Sequence, residues 1–241
     1  MKPILEVIAF NLESCLIAER AGADRIELCD NPGEGGTTPS YGLIKMARLN
    51  TRIHLFPIIR PRGGDFLYTH EEFELMKVDI EICKNLGCDG IVTGILLENG
   101  DIDKERMRSL VTLAYPMGVT FHRAFDRCND PLKAMEDIIE CGCERILTSG
   151  QRQNAMEGID LIALLIEKSA DRIIIMPGSG IRSDNINEMR TKTGASEFHS
   201  SARVKIKSKM EFVRSEMNES LEQFMLDENE VKKMVEQLQK N

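Results

Sequence analysis

Residues 22–29 read GADRIELC, and the three-residue signature that opens them returns along the chain as Gly87-Cys-Asp89, Gly142-Cys-Glu144 and Gly194-Ala-Ser196. Each copy follows a helical pattern and precedes a short apolar run. Glycine supplies the left-handed stop of a helix, and the run after it reads as a strand. Eight such runs are expected: Leu5–Ala9, Arg25–Cys29, His54–Ile59, Gly90–Thr93, Gly118–Phe121, Arg145–Thr148, Arg172–Met176 and Ser196–His199. Strands that alternate with helices pair in parallel. Eight units in 241 residues match the size of a (β/α)8 TIM-type barrel, with an open doubly wound sheet as the alternative.

The helices between the strands carry their own signals. Asp130-Pro131 reads as an N-cap followed by proline at N1, with Leu132, Met135, Ile138 and Ile139 on one apolar face. Ile159, Ile162, Ala163 and Ile166 repeat that spacing. Asp227 with Glu230 resembles a capping box before Val231, Met234, Val235 and Leu238. No Pro/Gly/Ser-rich linker divides the chain. Residues 1–241 are expected to form one domain, with a long loop over 203–226 after strand eight and a closing helix over 227–240.

Composition narrows the function. A hydrophobic fraction of 42% permits a sizeable core, and a formal charge of −8 argues against nonspecific nucleic-acid binding. No apolar run approaches the ~20 residues that cross a bilayer. Glu6 interrupts the first apolar run, so the N-terminus lacks a signal-peptide layout and the expected location is the cytoplasm. Seven cysteines, an odd number, read as thiols rather than a disulfide framework.

A barrel also explains why titratable residues follow an apolar strand in FHRAFDRC, 121–128. The C-terminal ends of barrel strands converge on one mouth. Glu6, Glu27, Cys29, Arg60, Arg62, His122, Arg123, Asp126, Ser149, His199, Ser201 and Arg203 are expected there. Glu27 and Cys29 share an inward face because they are two apart, and Arg60 and Arg62 are the expected partners of the Glu27 carboxylate. An internal ion-pair network that holds the barrel together is the structural alternative. The turn Gly178-Ser179-Gly180 after strand seven suits a phosphate held by backbone N–H groups, or a tight turn that needs glycine for its own sake. His122 and His199 sit at strand ends and could act as acid, base or ligand, whereas His54 and His70 have no such setting. Cys88 and Cys143 occupy the slot of Ala23 and Ala195 and read as buried packing. Cys29 and Cys128 lie near the mouth, where a thiolate could hold a soft ion.

Five segments resemble the CutC family, named for copper homeostasis: GADRIELCDNPGEGGTTPSYGLI (22–44), RPRGGDF (60–66), TFHRAFD (120–126), ILTSG (146–150) and MPGSGI (176–181). The resemblance implies a TIM-type barrel, a cytoplasmic location, a homo-oligomer (dimer or tetramer) and Cu(I) handling with Cys29 as metal ligand. The residues themselves allow a second reading, an enzyme acting on a small anionic metabolite, phosphorylated ones included. Glu27, His122 and Asp126 would then be the catalytic candidates. Arg60, Arg62, Arg123, Ser149, Gly178, Ser179, Gly180 and His199 would bind the ligand. No nucleic acid or membrane partner is expected.

Overall fold

Gly22, Gly87, Gly142 and Gly194, the glycines of the repeated signature, all take positive φ, from 75° to 87°. Each turns the chain from a helix into the next strand. In the computed structural model, which describes residues 2–218 and 220–239, eight parallel strands result. They are β1 (Ile4–Ala9), β2 (Arg25–Leu28), β3 (His54–Pro57), β4 (Gly90–Thr93), β5 (Gly118–Phe121), β6 (Arg145–Thr148), β7 (Ile174–Pro177) and β8 (Glu197–Ser200). Two hydrogen-bonded arcs form, in the orders β3-β2-β1-β8 and β4-β5-β6-β7. A parallel bridge between Ile58 and Val92 joins β3 to β4, and β7 lies beside β8, so the ring closes as a (β/α)8 barrel.

The helices α1 (Leu12–Ala21), α2 (Tyr41–Asn50), α3 (His70–Asn85), α4 (Lys104–Ala114), α5 (Pro131–Cys141), α6 (Ile159–Ser169) and α7 (Ile186–Thr193) follow the first seven strands. Asp130 caps α5 by accepting from the N–H groups of Leu132 and Lys133. On α5 the buried face centres on Met135 and Ile138, while Leu132 in the first turn is exposed. Side chains alternate as period two requires. Leu5, Val7, Ala9, Ile26 and Leu28 pack outward in the main core beneath the helices. Cys29, Phe56, Ile58 and Val92, with Ile8 and Phe10, form a second, interior cluster.

The expected loop over 203–226 begins and ends in a strand. Its ends form an antiparallel pair, β9 (Arg203–Ile206) with β10 (Gln223–Leu226). The closing helix α8 (Glu228–Gln239) follows. Asp227 caps it, but only half of a capping box forms. The Glu230 carboxylate accepts instead from the N–H and Oγ of Ser183, tying α8 to the loop before α7.

Candidate functional site

Parallel strands deliver their C-terminal ends to one rim, and a cavity of about 290 Å³ opens there. Glu27, Arg60, His122, Arg123, Ser179, Gly180 and His199 line it, joined by Ser201 and Arg203. Ile8, Phe10, Ile58, Phe66 and Leu147 supply the apolar wall.

The floor is a buried triad of Glu6, Glu27 and His199, whose donor atoms lie within 4.8 Å of one another. His199 Nδ1 sits 2.7 Å from Glu6 Oε1, which fixes the ring. Its Nε2 stands 3.7 Å from Glu27 Oε2, beyond hydrogen-bond reach. Glu6 also accepts from Arg25. Burial alone would raise Glu6, but Arg25 and His199 override it and hold its pKa at about 2. Glu27 lacks such a partner. Burial, with the neighbouring Glu6 charge adding to it, pushes Glu27 up to about 7 despite His199 and Arg25. Burial would lower His199, yet its bond to Glu6 and the charge of Glu27 raise it above the ordinary imidazole value.

His122 is different. Its Nδ1 accepts from the Ala124 N–H, so the ring proton sits on Nε2. Nε2 is buried and has no partner among the described residues. The ring packs against Phe66, centroids 4.8 Å apart. Burial, reinforced by the Arg60 cation, pushes its pKa down to about 3, so the imidazole is neutral. With Nδ1 occupied, the nitrogen left open presents a hydrogen-bond donor.

Several expected residues have other work. Arg60 and Arg62 do not pair with Glu27. Arg60 Nη1 donates to the carbonyls of Glu34 and Gly36, and Nη2 to that of Gly64, so it clamps the loops after β2 and β3. Arg62 turns outward to Glu72 (2.6 Å) and Asp65 (2.8 Å). Asp126 accepts from Thr148 Oγ1, the N–H groups of Ser149 and Gln151, and Arg123 Nε. Those donors occupy both of its carboxylate oxygens. Ser149 Oγ is held by Arg123, Asp126 and the Arg152 carbonyl. The Gly178 N–H is bonded to the Thr148 carbonyl, so it is not open to a ligand. A side chain there would press on Leu147 and His199. Ser179 and Gly180 both take positive φ, 77° and 78°, and among the described residues nothing accepts from their N–H groups.

Cys29 lies under the mouth, fully buried, with its sulfur close against Gly36. Burial and the carboxylates of Glu27 and Glu6 push its thiol well above the ordinary value. Cys128 accepts from Gln151 Nε2 and is raised to about 12, chiefly by burial. Neither sulfur lines the cavity.

One cluster escaped the sequence reading. Below the triad, Arg25 bridges Glu6 and Glu197, and Arg145 joins Glu197 at 3.2 Å. Both guanidiniums lie over the Phe56 ring, 5.2 and 5.4 Å from its centroid. The spacing held the signal: Arg25 is two before Glu27 and Glu197 two before His199, so each shares its neighbour's inward face.

A closed parallel barrel with a polar cavity at the C-terminal ends of its strands defines the class, a (β/α)8-barrel protein. Within that class the chain belongs to the CutC family, whose model matches residues 3–204. It is 54% identical over 213 residues to a family protein CutC of Parabacteroides distasonis, covering 88% of each chain. It is 49% identical over 212 residues to the copper homeostasis protein cutC homolog of Homo sapiens, covering 88% of this chain and 78% of that one. The crystal structure of a CutC protein from Streptococcus agalactiae superimposes with a TM-score of 0.79 at 35% identity, covering 83% of this chain and 98% of the other. No helix among the described residues is long and apolar enough to cross a membrane.

Proposed function

We propose that the mouth binds a small anionic metabolite, phosphorylated ones included, and that Glu27 moves a proton on it. The observation that carries this reading is Glu27 itself, a buried carboxylate facing a cavity with a pKa of about 7 and no guanidinium within hydrogen-bond reach. A group poised near the working pH can take and return a proton. The N–H groups of Ser179 and Gly180, which have no acceptor among the described residues, with Arg123 and Arg203 lining the same cavity, supply the anion subsite. Titration with inorganic phosphate tests it, followed by ³¹P NMR and thermal shift. Saturable binding that weakens in Arg203→Met supports the reading. No shift relative to chloride at equal ionic strength removes it.

Copper handling is the second reading, and the Glu6–Glu27–His199 donors favour a form of it. Cu(I) prefers thiolates and thioethers. Cys29 is a buried thiol raised by burial and by the Glu27 and Glu6 carboxylates, and it does not line the cavity, so these residues favour a Cu(I) site at Cys29 less than a carboxylate–imidazole site. Carboxylate and imidazole suit Cu(II) or Zn(II), with Glu27 and His199 as ligands and Glu6 orienting the ring from behind. An anaerobic Cu(I) competition titration beside a Cu(II) titration separates the cases. Tight Cu(I) binding lost in Cys29→Ser would restore the thiolate site. Cu(II) binding lost in Glu27→Gln and kept in Cys29→Ser would place the ion on the triad. A cytoplasmic homo-oligomer, dimer or tetramer, completes this proposal from the family resemblance.

A further inference from the structure

Two acidic candidates of the mouth are engaged by their bonds: Asp126 has donors on both oxygens and Glu6 is tied to Arg25 and His199. Glu27 lines the cavity and, among the described residues, has no guanidinium or ammonium bonded to it, so it is the carboxylate that faces a ligand. The same 290 Å³ cavity presents one neutral donor with nothing to donate to, the Nε2–H of His122. Its tautomer is set by the Ala124 N–H on the far ring nitrogen, and its rotation is limited by Phe66 and by Gly94, where any side chain would strike the ring. An orphaned buried donor costs stability unless a ligand oxygen completes it.

A free carboxylate and a fixed neutral donor in one cavity make the pairing needed to form and stabilise an enolate. We propose that the site catalyses proton transfer at a carbon adjacent to a carbonyl, with Glu27 taking the proton and His122 Nε2–H donating to the carbonyl oxygen. The C–H bond breaks and its proton goes to Glu27. Its electron pair forms the carbon–carbon double bond, and the carbonyl π pair moves to the oxygen bonded by His122. Return of the proton to the former carbonyl carbon, as the adjacent hydroxyl passes its proton to the first oxygen and becomes the new carbonyl, gives an isomer, and return to the original carbon gives exchange. No oxidant, reductant or co-reactant is needed. The substrate class is therefore a small hydroxycarbonyl compound with an anionic group for the Ser179–Gly180 turn. A neutral imidazole suits this role because it donates without yielding a full charge, and burial keeps His122 neutral.

This inference rests on the anion-binding reading above, and the test separates the two. Phosphoglycolohydroxamate, an enediolate mimic, and 2-phosphoglycolate are titrated into the full chain in EDTA, with inorganic phosphate as the reference. The expected result is binding of the hydroxamate on the order of 10²-fold tighter than the glycolate, with the preference lost in His122→Phe while phosphate still binds. Equal affinity for the two overturns the inference and leaves the anion site standing. No binding of any of the three, phosphate included, removes both. Should His122→Phe fail to fold, ¹⁵N NMR of the wild type decides. Nε2 must carry the proton from pH 5 to 9, and its proton must shift downfield with the hydroxamate. An Nδ1-protonated ring, or an Nε2 proton unmoved by the ligand, overturns the proposal.

Discussion

Ionising a carboxylate inside a barrel, with no cation bonded to it, costs folding free energy. Glu27 is in that position, and its pKa rises from the ordinary 4.5 to about 7. A group raised on folding lends stability below its unfolded pKa and loses it as pH rises through the folded one. Glu27 therefore destabilises the native state progressively between about pH 4.5 and 7. The neutral isostere Glu27→Gln removes that loss. It is expected to raise Tm at pH 8 and to change it little at pH 4, read by calorimetry at both values. His199 keeps its bond to Glu6 in the variant, so the floor stays formed. A variant less stable at pH 8 than the wild type would mean that the Glu27 charge is compensated. The sequence placed Glu27 inward by its spacing from Cys29, but it could not name the partner. Arg60 and Arg62 share a face by count, yet they leave the strand before their guanidiniums are placed. The carbonyls of two loops then capture the one, and Glu72 and Asp65 the other.

At the level of elements, strands were legible because each is a short apolar run before a polar rim, and β2, β4, β6 and β8 also follow a glycine helix stop. The eight expected runs overlap β1 to β8. The partners of Asp126 were not legible because they depend on a 3-10 turn over Arg123–Arg127, which folds its carboxylate back onto Thr148, Ser149 and Gln151. A local turn of that kind has no period to detect. Cap chemistry is more direct. Asp130 holds two N–H groups at the start of α5, immediately after the FHRAFDRC rim. Asp130→Ala should cost about 1 kcal/mol, the usual loss for a cap. That is a drop of ~2–4 °C in Tm for a chain of this length. The β9–β10 arm allows another test. Between its strands Met210, Phe212, Val213 and Met217 are exposed, an apolar group that a monomer would leave in water. If the homo-oligomer uses this arm, the double variant Phe212→Ser, Met217→Ser should lower the mass seen by light scattering and leave the barrel's circular dichroism unchanged. A wild type that is already monomeric would remove the homo-oligomer from the proposal.

Across the whole molecule the interior divides into two polar storeys with different chemistry. The upper one, at the mouth, leaves His122 Nε2 without a partner among the described residues and Glu27 without a bonded cation. The lower one is matched: Arg25 and Arg145 against Glu6 and Glu197, stacked on Phe56 and drawn from β1, β2, β6 and β8. Gly90 of β4 leaves the room, since any side chain there would overlap the Phe56 ring. The ion-pair network expected as the alternative to a site joined Glu27 to Arg60 and Arg62; the network that forms uses other residues and lies beneath the mouth. Breaking a buried pair from one side strands the opposite charge, at roughly 3–5 kcal/mol. Arg25→Met leaves Glu6 with His199 alone and Glu197 with Arg145 alone, and should lower Tm by on the order of 10 °C at pH 7. The loss must depend on pH. Glu6 is depressed to about 2 by Arg25 and His199 against its burial, so its ionised form stabilises the fold above pH 4.5 and that contribution disappears as pH falls toward 2. The Arg25→Met deficit should therefore shrink between pH 5 and 3, as the stranded carboxylate takes up a proton. A deficit of equal size at both pH values would show that Arg25 acts by packing on Phe56 and Met176 rather than by its charge.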